Sequence, residues 1–110
     1  MKVVVKGHTT ILKDTQGDFQ LFLDKVTTQH ESYKNQNLIL DVTHDNSTTI
    51  QSIKSFSELS KLHCKGKKSF VIVTENIDFN ALPKSLVVVP SVLEAHDIID
   101  MDEIERDLGF

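Results

Sequence analysis

A chain of 110 residues with ordinary apolar and charged shares (39% and 25%) has room for one hydrophobic core. Its apolar runs span only a handful of residues, too short for a helical membrane span, and a lone cysteine, Cys64, rules out an intrachain disulfide. Net charge is −4, and residues 91–110 hold seven acids against Arg106 alone, which argues against a nucleic-acid-binding face.

The opening reads as a β-hairpin: Val3–Val5 and Thr10–Leu12 are β-formers, and Gly7-His8 suits a type II′ turn. Met1–Lys6 lacks the long apolar region of a signal peptide, so a cytoplasmic, reducing setting is expected and the sequon Asn46-Ser47-Thr48 is expected to be inert. After a polar loop, Asp18 or Thr15 can cap a helix whose apolar face is Phe19, Phe22, Leu23, Val26, His30 and Tyr33. Three apolar runs follow: Leu38–Leu40, Phe70–Val73 and Leu86–Val89. None alternates, which predicts parallel strands buried on both faces. Residues 49–64 supply a crossover helix carrying Ile50, Ile53, Phe56, Leu59 and Leu62, a spacing of three that drifts around the helix. Between the second and third runs there is room for about one turn before Pro83. Ser91-Val92-Leu93-Glu94 is a capping box opening a last helix, Val92 to about Leu108, with a break near Asp100 and a stop at Gly109. The expected fold is one α/β domain over 1–110, a small mixed sheet with an N-terminal hairpin, parallel central strands and helices packed on it.

This element order resembles the STAS fold of the anti-sigma factor antagonists. Locally the likeness is carried by Asn37-Leu38-Ile39-Leu40-Asp41-Val42-Thr43, by the helix–Gly66–strand step, and by Val-Pro-Ser-Val-Leu-Glu-Ala-His at 89–96. The resemblance implies a non-enzymatic regulatory module that binds a protein partner. In the antagonists a loop after this strand carries Asp-Ser-Ser-Gly, whose serine is phosphorylated. Here the matching stretch is His44–Thr49, shorter and without the glycine, with Asp45 and Ser47 similar in residue type only.

The first site to consider is therefore this loop at the carboxyl end of a parallel strand, where free amides and a helix dipole favour ligands. Asp41, Thr43, Asp45, Ser47, Thr48 and Thr49 are its candidates, for a partner, for a phosphate, or, in the alternative reading, for a small molecule or nucleotide. The structural reading is a capping box Thr48-Thr49-Ile50-Gln51 with Thr48 as cap. The second site is the last helix and its tail, where Ile98, Met101, Ile104 and Leu108 are expected mainly to pack on the domain, or else to form a docking ridge with Phe110. The lysines between Lys54 and Lys68 and the acids after residue 91 are expected as two solvated helix faces, or as two halves of an intra- or intermolecular contact.

Other constellations carry little. His44, Asp45 and Ser47 lie too close in sequence to assemble a triad. His63-Cys64 forms no metal-ligand spacing, and Cys64 is expected half-buried. Gly66-Lys67-Lys68-Ser69 joins helix to strand, the reverse of a phosphate loop, and is a turn. No cofactor, metal or membrane partner is expected.

Overall fold

The computed structural model describes residues 1–44, 48–75 and 77–109. Its strands are β1 (Lys2–Lys6), β2 (Thr9–Lys13), β3 (Asn37–Asp41), β4 (Phe70–Val73) and β5 (Val87–Val89). Its helices are α1 (Phe19–Tyr33), α2 (Ile50–Lys54), α3 (Ser57–Lys65) and α4 (Val92–Asp107), with a 3₁₀ turn at Phe79–Ala81. The five strands stand in chain order in one sheet. β1 pairs antiparallel with β2, and β2, β3, β4 and β5 run parallel.

The hairpin forms as expected. Gly7 takes φ 59 while His8 stays out of the positive region, the pattern of a type II′ turn. Successive residues then point to opposite faces. Leu12, Leu38, Leu40, Phe70 and Ile72 meet Phe22 and Val26 of α1, Ile53 of α2, and Phe56. On the other side Ile11, Ile39, Val71, Val73 and Val89 meet Ala95 and Ile99 of α4. The sheet is thus covered on both faces, which is why β3 and β4 read as unbroken apolar runs.

β5 departs from that expectation. It pairs only with β4 and is an edge of the sheet, so Val87 is exposed and Val88 half-buried. β1, the opposite edge, has outward Val3 and Val5 flanked by Lys2 and Lys6, and lysines at an edge discourage further strand pairing.

The crossover helix is two helices. Ser55 and Phe56 donate to Ser52 and Ile53, bonds three residues back, before α3 begins. That tight turn absorbs the drift of a three-residue spacing and lets Ile53 and Phe56 both reach the core. The cap also moves by one residue: Thr49, not Thr48, accepts from the Ser52 amide at 3.1 Å. α4 runs through Asp100 without a break, and Gly109, at φ 82, follows its last turn. Ser91 caps it, accepting from the Glu94 amide at 3.2 Å, and the return bond of the expected capping box is replaced by one from the Ser91 hydroxyl to the Glu94 carboxylate at 3.0 Å.

Candidate functional site

The loop after β3 is held by its own residues. One oxygen of Asp41 accepts from both the amide and the hydroxyl of Thr43, at 3.0 and 2.6 Å. Asp41 is buried, and its backbone carbonyl takes the Asp14 amide at 2.9 Å, tying the carboxyl ends of β2 and β3 together. Thr49 spends its hydroxyl on the α2 cap, and Thr48 is half-buried beside it. Asp45 and Ser47 lie outside the described residues. Asp41, Thr43 and Thr49 therefore shape the backbone, and their side chains present little to a ligand.

Beside this loop, Asp14 is also buried. One of its oxygens accepts from the Gln16 amide at 3.0 Å, and the other has no hydrogen-bond partner among the described residues. No group of three or more His, Cys, Asp or Glu side chains among the described residues is placed to hold a metal.

A second polar arrangement was not legible in the sequence. His30 of α1 and His63 of α3 meet at 2.8 Å between Nε2 and Nδ1, both rings buried. The other nitrogen of His63 lies 2.7 Å from the backbone carbonyl of Gln36. A carbonyl only accepts, so His63 Nε2 carries the proton, its Nδ1 accepts, and His30 Nε2 donates. Burial lowers the His63 pKa from 6.5; the Gln36 carbonyl opposes this, and the nearby His30 and Lys68 add to it. The pair pins α1 to α3, and Cys64, the neighbour of His63, faces solvent rather than lying half-buried. The pair itself lines a cleft of ≈ 220 Å³ with Lys34, Leu62 and Gly66. A separate open groove of ≈ 630 Å³ runs between α1 and α3, lined by Leu23, Leu59 and Leu62 together with Asp24 and Glu58.

The last helix is where structure and sequence reading differ most. Ala95 and Ile99 turn to the sheet, and Asp102, Glu103 and Arg106 on the same side enter a polar clamp. Asn37, at the start of β3, donates to Glu103 at 2.6 Å and accepts from the Ser69 amide at 2.9 Å and from Arg106 at 3.3 Å. Ser69 in turn donates to Asp102 at 2.7 Å. With that side committed, the other side faces water. Leu93, Met101, Ile104 and Leu108 are 73, 62, 59 and 65% exposed. The expectation that Ile98, Met101, Ile104 and Leu108 pack mainly on the domain is corrected: Ile98 packs against the core, and the other three are exposed. Phe110 lies outside the described residues. A turn of about 100° per residue puts Leu93, Met101, Ile104 and Leu108 within about 80° of arc, opposite Ala95 and Ile99. They form one stripe.

Most of the lysines between Lys54 and Lys68 lie on the face of the sheet opposite α4, but at one end Lys68 shares a cleft with Asp102 and Glu105. Among the described residues no salt bridge joins the two clusters. No helix among the described residues is long and apolar enough to cross a membrane. No protein-family model matches the chain, and no curated protein matches it.

Proposed function

We propose that the chain is a non-enzymatic, protein-binding regulatory module resembling the anti-sigma factor antagonists, and that its binding surface is the outward side of α4. One observation carries this reading: four large apolar side chains in line on a helix whose opposite side is fixed to the sheet. Single exposed apolar residues are ordinary, but several in line on one helix face mark an interaction surface. The helix beneath it is capped at both ends and clamped at Asn37, so a partner meets a surface that is already ordered. Against the small-molecule or nucleotide reading, Asp41 and Thr74 are buried at the carboxyl end of the strands, with Asp41 already taken by Thr43.

The test is affinity capture from native lysate with the wild-type chain and with Ile104→Glu, whose side chain is exposed and whose fold should be unchanged. A partner held in stoichiometric amount by the wild type and lost by the variant is expected. Recovery of none across several growth conditions, or equal recovery by both, would remove the reading.

A further inference from the structure

We infer that the outward side of α4 takes a cationic amphipathic helix of another protein. This rests on the protein-binding reading above and names the class of its partner. The argument starts from what borders the stripe. On the same turn of about 100° per residue, Asp97 falls inside the apolar arc, Asp100 and Asp107 fall along one margin, and Glu94 and Glu105 along the other. All five are exposed. The side of α4 turned to water therefore holds four apolar residues and five acids with no lysine or arginine of its own, since Arg106 points into the clamp. His96 of α4 and Lys6 and His8 of the hairpin border it only at the Leu93 end, in a cleft shared with Asp97 and Asp100.

The spacing suits a helical partner. Met101, Ile104 and Leu108 are three and four residues apart, the interval at which two helices interlock side chains. Leu93 extends the stripe to about 22 Å, at a rise of about 1.5 Å per residue. In such a pairing the margins face the residues flanking the partner's own apolar seam, and opposite charge there sets partner choice. Lysine or arginine at those flanks answers Asp100, Asp107, Glu94 and Glu105, and one further base answers Asp97 in mid-stripe.

A second copy is a poor occupant. Two α4 helices laid together would set acid against acid along both margins, and like charges opposed at an interface are costly. Docking α4 on the lysine-bearing side of another copy meets the α1–α3 groove, which has Asp24 and Glu58 in its own lining. An anionic membrane surface would repel five carboxylates.

The probe is a synthetic peptide of about three heptads, leucine on one face and lysine at the flanks, with two controls: glutamate for lysine, and a scrambled order of the same residues. Binding is followed by amide chemical shifts and by peptide anisotropy. The lysine peptide should bind saturably, move the amides of Leu93, Met101, Ile104 and Leu108, and weaken as salt rises. The double variant Ile104→Gln/Leu108→Gln should bind it at least about tenfold more weakly, as expected when central apolar anchors are lost. Both positions are exposed, so an unchanged melting temperature should confirm that the variant folds. The inference is overturned by absence of saturable binding, by equal binding of either control or of the double variant, or by shifts centred on α1 and α3. It is overturned equally if the unliganded protein sediments as a dimer that Ile104→Gln dissociates, because the stripe's occupant is then a second copy. Capture of a partner through Ile104 with no lysine-peptide binding would reject the cationic class and leave the protein-binding reading standing.

Discussion

At the scale of single residues, the His30–His63 contact ties stability to pH. His63 folds neutral, with its proton on Nε2 and its Nδ1 accepting from His30. Protonating Nδ1 would set two N–H groups against each other, in a site where burial already disfavours charge. Because the folded pKa lies below the unfolded one, the unfolded chain binds more protons between the two values. The pair's contribution is therefore complete above 6.5 and lost as pH falls through the lowered value. Urea unfolding between about pH 5 and 7 should show stability dropping on acidification, and His63→Phe should flatten that slope. An unchanged slope in the variant would assign the dependence to other groups. The two histidines lie 33 residues apart, so nothing local in the sequence pairs them. His30 stands on the apolar face read for its helix, whereas His63 falls just past the face read for residues 49–64, and only the packing of α1 on α3 brings the rings together.

At the scale of elements, what the sequence made legible was what repeats. The II′ turn at Gly7, the parallel pairing of the apolar runs and the Ser91 cap each follow from a pattern of two to four residues and form as expected, although the third run lies at the sheet edge and is not buried on both faces. Errors arose where a pattern has two physical solutions. A spacing of three can drift around one helix or be taken up by a tight turn, and the chain does the second at Ser55-Phe56. Apolar residues on both sides of α4 can mean a helix buried all round or one with an exposed seam. Which holds depends on how many layers cover it, and that is a tertiary fact. The junction of α2 and α3 has a mechanical consequence. Phe56 is wholly buried there, its ring 5.3 Å from Phe19 and 6.2 Å from Phe70, so one side chain joins α1, the α2–α3 corner and β4. Phe56→Ala should cost about 3–5 kcal/mol by urea unfolding, the cost of a large cavity in a packed core. A loss below about 1 kcal/mol would mean that the corner collapses to fill the space and that the turn does not depend on the ring.

At the scale of the whole molecule, the two covered faces of the sheet are unequal. One carries α1, α2 and α3 with three phenylalanines in the core, while the other carries α4 alone, whose core contacts include the small Ala95 and Ile99. A helix with so modest an apolar footprint needs a second attachment, and Asn37 supplies it. Its amide is fully buried, and it joins the starts of β3 and β4 to Glu103 and Arg106. Asn37→Ala removes one amide and strands the Ser69 amide, with Glu103 and Arg106 each losing a partner. A few such losses in buried surroundings cost about 2–4 kcal/mol in total. The loss should fall unevenly across the molecule. Strands β3 and β4 keep the packing of the first face, so their amides should still exchange only through global opening, whereas α4 should open locally and exchange faster. If hydrogen exchange finds α4 as protected as β3 in the variant, the apolar contacts alone hold the helix. If the prediction holds, the outward stripe is a rigid surface only while the clamp is intact, and Asn37→Ala should weaken binding on α4 without touching a residue that a partner meets.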